Sequence, residues 1–463
     1  VDLDASYAPF PLFHIYNAVS SSILGLPAQD THFIVMCLAY VIVALFLYKI
    51  FKVISDNEQV SLLACLCFSV TPIVLLEGIM MVTRTTAFVG FVILLYLIFM
   101  AKERDSIVYT AFIIISAIFI ILVHQVSAAQ IVLLIALLMG CEFILGEKRY
   151  FSTYLMLFIT ISFSAYWIFS SQIFLDQLIG QRIGLDYFDF GEKHRTLIDP
   201  SLNQMQVAVM FLQNQIDMGI FLFFALIGIG YIIYRKKPQY LPVVAIFSLL
   251  VLIFYVPNPL MTSQTIGRIY RIDRFAILIA PFMAFIMASG IFWLSKLCQR
   301  HTRSEISYFI ITFLFALFVL FSLQNPILDM TSKDGRVYFT DGELSGYDHV
   351  TKKVPYGVKL YSDYQTARFF HLDYFSLSEE LGLPYYKSNV LRGMEWFPQS
   401  NQYIIFRDLK FKDWRIQFRD SSDKGNINYV SNAENKRDVK RFYDSNNIIY
   451  SNYQISILIG KSY

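Results

Sequence analysis

Three arginines lie close together in the segment GRIYRIDRFAILIAPF, where their positive charge could bind an anion. Arg268, Arg271 and Arg274 recur at every third position, and Asp273 stands beside the last of them. Guanidinium groups bind phosphate oxygens in pairs, so three of them just before an apolar segment favour a pocket for an anionic lipid headgroup. The alternative is a salt-bridged loop in which Asp273 neutralises its neighbours.

Glu77 and Arg84 flank a short turn, LLEGIMMVTRTTAF, between two apolar segments. An ionisable residue inside a membrane span costs about 2.5–3.5 kcal/mol on insertion scales, so such a residue needs a reason to be there. Arg84, at the outer end of a new helix, could bind a phosphate through two hydrogen bonds. Alternatively, it is an interfacial arginine that extends to the polar boundary and pairs with Glu77.

His124 lies in ILVHQVSAAQ, between two apolar segments that have essentially no loop between them. An imidazole at this position could donate a hydrogen bond to a phosphate. It could equally satisfy a helix terminus, since either use leaves the ring hydrogen-bonded.

The composition places these residues in a membrane protein. Hydrophobic residues make up 56% of the chain, charged residues make up 16%, and the mean hydropathy is +0.51, whereas soluble domains carry about 25% charged residues. The net charge of +3 is too small to favour a nucleic-acid partner. The five cysteines all lie within or at the ends of apolar runs, so no disulfide framework is available to the polar C-terminal region.

Apolar stretches long enough for a transmembrane helix recur along the chain. About 17–25 residues are needed to cross a hydrocarbon core of about 30 Å. The sequence therefore predicts a polytopic α-helical membrane protein with about ten transmembrane helices, followed by a soluble α/β domain. The predicted spans are 32–54, 59–76, 86–101, 107–123, 125–145, 152–170, 216–234, 240–256, 275–297 and 306–323.

Lysines and arginines cluster after every odd-numbered apolar segment, which indicates that these loops are cytoplasmic. The opposite, extracytoplasmic side then carries residues 1–31, the turns at 77–85 and 123–125, the loops 171–215 and 257–274, and everything after 325. The candidate anion-binding residues fall on this side. The cytoplasmic clusters are Lys49 and Lys52, Lys102 and Arg104, Lys148 and Arg149, Arg235 to Lys237, and Lys296, Arg300 and Arg303.

Residues 1–31 are predicted to form an external loop that contains an amphipathic helix lying along the membrane interface. The chain begins at Val1 without a signal peptide or a preceding span, so we expect at least one more helix upstream in the native protein. The apolar residues with near-helical spacing are Leu12, Phe13, Ile15, Tyr16, Val19, Ile23 and Leu24.

Residues 32–325 are predicted to be a multi-spanning membrane domain, and residues 326–463 an extracytoplasmic α/β domain. The second region is polar and alternates strand-like runs with helical signals, notably at 342–354 and 432–443. It contains no glycine-rich nucleotide motif and no metal-spaced His/Cys cluster, so we interpret it as a soluble cap. The strand-like runs are 336–340, 358–364, 402–408, 415–418, 447–452 and 454–459.

Four segments together resemble a family. YAPFPLFHIYNAVSSSILGLP resembles the segment after the catalytic carboxylate in the first external loop of GT-C membrane glycosyltransferases, especially the prokaryotic branch related to protein O-mannosyltransferases and oligosaccharyltransferases. TRTTAFVGFVILLYLIF, LVHQVSAAQIVLLIALL and DRFAILIAPFMAFIMASG resemble the Arg-led, His-containing and Arg-Phe…Ala-Pro segments of that group.

This resemblance implies an activity. Such enzymes take a sugar from a polyprenyl phosphate or diphosphate on the extracytoplasmic side and transfer it to a hydroxyl of a protein, lipid or glycan. A carboxylate in the first external loop acts as general base or holds a divalent metal ion. By this resemblance Arg84 and Arg274 would face the carrier phosphate, with Arg268, Arg271 and His124 as supporting donors.

The base itself is not clearly present, because the chain begins where the acidic motif of the family should end. Asp2 and Asp4 precede YAPFPLFH and are candidates, although the spacing places the true base further upstream. Without a base the protein would be a non-catalytic relative. A transporter or lipid flippase is an alternative that would be expected to show paired broken helices. A receptor or scaffold is disfavoured, because one helix would suffice to anchor it.

Overall fold

The computed structural model divides into two compact units, Val1–Pro326 and Ile327–Tyr463. In the first unit and the helix that leaves it, the structure describes residues 10–104, 106–145, 149–171, 204–235, 240–255, 272–301 and 304–331. In the second unit it describes 339–355, 357–362, 366–367, 369–370, 387–390, 402–407, 417–419, 427–429, 446–452 and 456–460.

Every apolar stretch singled out in the sequence is helical. Twelve helices lie in the described residues up to 331: α1 (Leu12–Leu24), α2 (Ala28–Ser55), α3 (Glu58–Ser69), α4 (Pro72–Met80), α5 (Thr83–Arg104), α6 (Ile107–Val123), α7 (Gln125–Leu145), α8 (Thr153–Phe169), α9 (Gln204–Arg235), α10 (Leu241–Tyr255), α11 (Ile272–His301) and α12 (Ser304–Thr331).

Five of these helices are long and apolar enough to cross a membrane, or six if the bent pair α3–α4 counts as one span. Such helices are compatible with a helical membrane protein. The count of ten spans stays a prediction, because the other apolar helices found in the described residues are shorter. The five are Asp30–Ser55, Thr83–Arg104, Gln125–Leu145, Ile216–Tyr234 and Phe275–Gln299, and the shorter ones are Ile107–Val123, Thr153–Phe169, Leu241–Leu252 and Phe309–Leu323.

The predicted span 59–76 is broken into α3 and α4, whose axes differ by 57°. Pro72 is the first residue of α4 and has no N–H to continue the hydrogen-bonding ladder of α3. The hydroxyl of Thr71 donates to the carbonyl of Cys67 (2.8 Å) at the break. On α2, the Tyr40 hydroxyl donates to the Val74 carbonyl (2.8 Å). The bend is therefore held by hydrogen bonds within the protein.

Helix α11 lies at the centre of the first unit, and nearly all of its apolar part is buried. It crosses α9 at a contact between backbones. A Cβ added to Gly228 would lie 1.9 Å from the carbonyl oxygen of Ile286, and one added to Gly290 would lie 1.9 Å from that of Phe224. Only glycine permits so close an approach, which is a common way for membrane helices to pack.

Large apolar side chains cover the outside of the first unit. Ile107 is 85% exposed, for example, and Ile23 is 77% exposed. On α1, Ile15, Val19 and Ile23 follow one another at a spacing of four residues and are all exposed. Contiguous apolar surface of this extent is unusual for a monomer in water and is suited to lipid.

The second unit contains helix α13 (Asp341–Lys353) and two sheets. The larger sheet has the order β2-β1-β3-β7-β6, with β2, β1 and β3 parallel and β7 antiparallel to β3 and β6. Residues 339 and 340 lie outside any strand, contrary to the strand predicted at 336–340, because Thr340 is the N-cap of α13. The strands are β1 (Lys359–Ser362), β2 (Lys387–Val390), β3 (Tyr403–Phe406), β4 (Gln417–Arg419), β5 (Ile427–Tyr429), β6 (Asn446–Ser451) and β7 (Ser456–Gly460).

A capping box begins α13. The Thr340 side chain accepts a hydrogen bond from the Glu343 N–H (3.3 Å), and the Glu343 carboxylate accepts one from the Thr340 N–H (2.9 Å). Glu343 is fully buried and lies 4.0 Å from the equally buried Arg407, at the end of β3. This pair connects the first turn of the helix to the end of the central strand β3, so it orients α13.

The α9–α11 contact gives a test of the fold. Gly228→Ala should lower the free energy of unfolding by about 3 kcal/mol or more, because the added methyl group would meet backbone that cannot move aside. Gly230→Ala on the same helix is the matched control, since nothing lies within 4 Å of its added Cβ, and it should change stability by about 1 kcal/mol at most. Thermal unfolding in detergent measures both. Equal stability of the two variants would contradict this packing.

Candidate functional site

The α4–α5 turn and the α6–α7 junction lie at the same end of the first unit. A Cβ added to Gly90 on α5 would lie 3.0 Å from Phe119 and 3.2 Å from Ile120 on α6. Because these consecutive helices run antiparallel through that contact, Arg84 and His124 both lie about 6–9 Å further along the bundle, at a rise of 1.5 Å per residue. The fold therefore brings two of the sequence candidates to one level.

Arg84 is anchored by a buried carboxylate. Its Nε atom lies 2.5 Å from Oε1 of Glu77, whose side chain is completely buried. The Thr85 hydroxyl donates to the other oxygen, Oε2 (3.0 Å). Neither Nε nor Oε1 takes part in a hydrogen bond of acceptable angle, so the short distance describes an ion pair rather than an aligned hydrogen bond. The pairing with Glu77 that the sequence offered as one alternative is thus present.

The ion pair uses only one side of the guanidinium group. Within the part of the chain that the structure describes, the Arg84 Nη atoms make no hydrogen bond, and the side chain remains 16% exposed. Two Nη atoms of one guanidinium present parallel N–H groups that match two oxygens of a phosphate. Arg84 therefore combines a fixed orientation with an open fork.

His124 caps helix α7. Its Nδ1 atom accepts a hydrogen bond from the backbone N–H of Ser127 (3.1 Å) and lies 2.8 Å from the Ser127 hydroxyl. Because a backbone N–H can only donate, Nδ1 is unprotonated and the ring proton is on Nε2. The side chain is buried. Nδ1 thus satisfies a helix terminus, as one of the two interpretations proposed, while a phosphate contact through Nε2–H stays a prediction.

The remaining candidates are less fully placed. Asp2, Asp4, Arg268 and Arg271 lie outside the described residues. Arg274 lies in the first turn of α11, and only its backbone is described. The arginine triplet therefore stays a prediction, and the described site consists of Glu77, Arg84 and the neighbouring helix ends.

One residue at this end was missed in the sequence. His32, near the start of α2, has its Nε2 atom hydrogen-bonded to the carbonyl of Met81 and its Nδ1 atom 2.8 Å from Oδ1 of Asn17 on α1. The Phe13 ring packs edge-on against the imidazole at 5.2 Å. The available signal was an ionisable side chain at the beginning of an apolar run, but its partners are distant in sequence.

A second buried carboxylate, Glu142, lies at the opposite end of α7, about 27 Å from His124 at a rise of 1.5 Å per residue. It accepts hydrogen bonds from the backbone N–H groups of Tyr150 and Phe151 (both 3.1 Å) and from the Tyr240 hydroxyl (2.6 Å). Three donors from the protein account for this carboxylate. We therefore assign it to holding the α7–α8 loop against α10.

The Glu77–Arg84 pair can be tested by removing its negative member. Glu77→Gln should lower the free energy of unfolding by about 3 kcal/mol or more, because it leaves a largely buried guanidinium without a counter-charge. Glu58→Gln is the matched control. Glu58 lies 3.8 Å from Lys52 at the surface, where the side chains are 63% and 50% exposed, respectively. We therefore expect this substitution to change the free energy of unfolding little. If thermal unfolding shows equal losses, Glu77 does not anchor Arg84.

Comparison with known proteins does not assign the chain to a family. No protein-family model matches the chain, and no curated protein sequence matches it significantly. The site is a guanidinium group held by a buried carboxylate at the α4–α5 turn of an apolar helical bundle, with the two Nη atoms open.

Proposed function

We propose that this protein is an integral membrane glycosyltransferase. It takes a sugar from a polyprenyl-phosphate-linked donor at the extracytoplasmic face and transfers it to a hydroxyl of an acceptor glycan, lipid or protein. The observation that carries this proposal is Arg84, whose Nε atom is anchored on Glu77 while its Nη fork is open at one end of an apolar bundle.

A phosphate is the ligand that suits this arrangement. The Glu77–Arg84 pair is neutral as a unit, so the ion pair alone would not attract an anion strongly. Arg84 is, however, the second residue of α5, and a helix N-terminus carries a positive partial charge and outward-directed N–H groups. A phosphate group on the carrier lipid would meet both the guanidinium fork and this helix end.

In the proposed reaction an oxygen of the acceptor hydroxyl attacks the anomeric carbon of the sugar. The bond between that carbon and the phosphate oxygen breaks, and the carrier phosphate leaves with the electron pair. Arg84 stabilises the negative charge on the departing phosphate, supported by Nε2–H of His124 and by the predicted donors Arg268, Arg271 and Arg274.

The acceptor proton passes to a carboxylate acting as general base. Asp2 and Asp4 are the sequence candidates for this role. Glu77 is not, because its oxygens face Arg84 and the Thr85 hydroxyl and its side chain is completely buried. In the described residues no group of three or more His, Cys, Asp or Glu side chains is placed to hold a metal ion, and we assign no step to one.

The membrane arrangement belongs to the same proposal. Ten spans would put the lysine- and arginine-rich loops in the cytoplasm and the α4–α5 turn, the α6–α7 junction and residues 326–463 on the extracytoplasmic side of the plasma membrane. The five long apolar helices support the membrane location, whereas the ten spans and their sidedness rest on the sequence. The shorter apolar helices would have to lie nearly upright or in locally thinner bilayer to cross.

A lipid or polysaccharide transporter of the flippase type is the second candidate, and the bend between α3 and α4 favours it. Transporters built from repeats carry such broken helices in pairs, at corresponding positions of their two halves. Among the described residues, one bent pair passes the span test. A non-catalytic relative that binds the same carrier remains the outcome if no base exists.

Transfer of a lipid-linked sugar tests the proposed role of Arg84. Full-length protein in proteoliposomes should lose about 100-fold or more of its transfer rate in Arg84→Ala, because a charge-assisted contact to the departing phosphate is lost. Arg84→Lys keeps the charge opposite Glu77 but not the fork, so it should fold normally and still be impaired. Arg274→Ala should also be impaired. Arg149→Ala, whose guanidinium lies over the Phe143 ring at 5.0 Å, is the control and should transfer normally.

Two results would overturn this proposal. One is unchanged transfer in Arg84→Ala and Arg84→Lys at normal expression. The other is movement of the lipid-linked sugar across the proteoliposome membrane without any covalent product, which would favour the transporter.

Cysteine labelling tests the orientation. In a background without the five native cysteines, His349→Cys and Lys193→Cys should react with a membrane-impermeant maleimide added to intact cells. Lys236→Cys should react only after the membrane is permeabilised, because its loop is predicted to be cytoplasmic. A reversal of either pattern would contradict the charge argument and, with it, the side assigned to Arg84.

A further inference from the structure

We infer that His32 is a positioning residue for the phosphate site: it holds Met81 in the backbone conformation that turns Arg84 back onto Glu77. This inference rests on the proposed function only in assigning a phosphate to Arg84. The contacts of His32 are independent of that assignment.

The α4–α5 turn depends on one backbone conformation. Met81 ends α4 with φ of 44°, in the left-handed region, and its N–H donates to the carbonyl of Glu77 (3.0 Å). In the described residues, Asp56 is the other non-glycine residue with positive φ. Aspartate tolerates this conformation because its short side chain bonds locally, whereas an unbranched apolar residue such as methionine rarely adopts it. Something outside the turn must stabilise Met81.

His32 supplies that stabilisation. Its Nε2 atom is hydrogen-bonded to the Met81 carbonyl oxygen, which can only accept, so the ring proton is on Nε2. The other ring nitrogen, Nδ1, is then an acceptor, so the Asn17 side-chain amide at 2.8 Å fixes it by turning its NH2 group toward the ring to donate. The Phe13 ring packs edge-on against the imidazole. The ring is thus held on three sides in the orientation that grips the Met81 carbonyl.

The conformation of Met81 decides where Arg84 lies. Three residues separate the two, and Met81 is the point at which the chain reverses from α4 into α5. If Met81 relaxed to negative φ, the start of α5 would turn away from α4. Arg84 would then leave Glu77, and its Nη fork would lose the fixed direction on which phosphate binding depends.

The same contact joins the site to α1. Asn17 faces His32 on one side of α1, whereas Ile15, Val19 and Ile23 are exposed on the other. No residue of α1 itself is fully buried. A shift of α1 in the lipid would therefore change the orientation of the Arg84 guanidinium group through the contacts of Asn17, His32 and Met81.

The test measures binding of a labelled polyprenyl monophosphate to full-length protein in detergent, with thermal unfolding measured in parallel. His32→Leu should weaken binding at least tenfold. Adding Met81→Gly to His32→Leu should restore most of the affinity, because glycine takes a left-handed conformation without assistance. A purely structural role for His32 would not give this rescue.

The outcomes separate the two proposals. If Arg84→Ala and Arg84→Lys both bind the lipid as the wild type does, the phosphate role of Arg84 fails. If those variants lose binding but His32→Leu retains it, or if Met81→Gly gives no rescue, the inference about His32 is wrong while the site stands.

A second pair of variants decides the matter if His32→Leu does not fold. The side-chain amide nitrogen of glutamine can take the place of Nε2 in histidine, whereas that of asparagine takes the place of Nδ1. His32→Gln should therefore keep the hydrogen bond to Met81 and bind the lipid within about threefold of wild type. His32→Asn should bind at least tenfold more weakly, and equal affinity of the two would overturn the inference.

Discussion

A polar atom inside the helical unit has to find its partner within the protein, because its neighbours are apolar side chains and an unsatisfied group there is costly. Two buried carboxylates of this unit, Glu142 and Glu77, obey that constraint in different ways. Glu142 is surrounded by three donors at one end of the bundle, and Glu77 is shared between Arg84 and Thr85 at the other. The hydrogen bonds around Glu142 involve only groups of the protein, whereas the Glu77–Arg84 pair leaves the two Nη atoms of the guanidinium group open to a ligand.

The sequence predicted the helices well and the bend poorly. Each apolar stretch proved helical because an α-helix satisfies the backbone N–H and C=O groups of an apolar run by hydrogen bonds within the run itself. The run 59–76 was interpreted as one span because hydropathy measures apolarity and not direction, although Pro72 within it is a helix-starting residue. In the second unit, Thr340 belongs to a β-rich run but caps a helix, since its side chain bonds the Glu343 N–H.

The charged residues of the site could be predicted from the sequence, but the residues that hold them in position could not. Glu77 and Arg84 are conspicuous in an apolar region and only seven positions apart, so their pairing was one of the expected alternatives. His32 lies 49 residues before Met81 in the sequence, and Asn17 lies 64 residues before it. Such contacts depend on how α1 and α2 pack against the α4–α5 turn, and no periodic pattern in the chain encodes that packing.

The bend between α3 and α4 is held rigidly by contacts within the protein. Thr71 satisfies the carbonyl at the break, and the Tyr40 hydroxyl and ring fasten α4 to α2 at Val74 and Gly78. α4 therefore moves with α2, and the neighbouring piece that can separate from the site most easily is α1, none of whose residues is fully buried. A site with one rigidly held neighbouring helix and one lightly held neighbouring helix suits the proposed ligand, whose long hydrocarbon chain stays in the bilayer throughout.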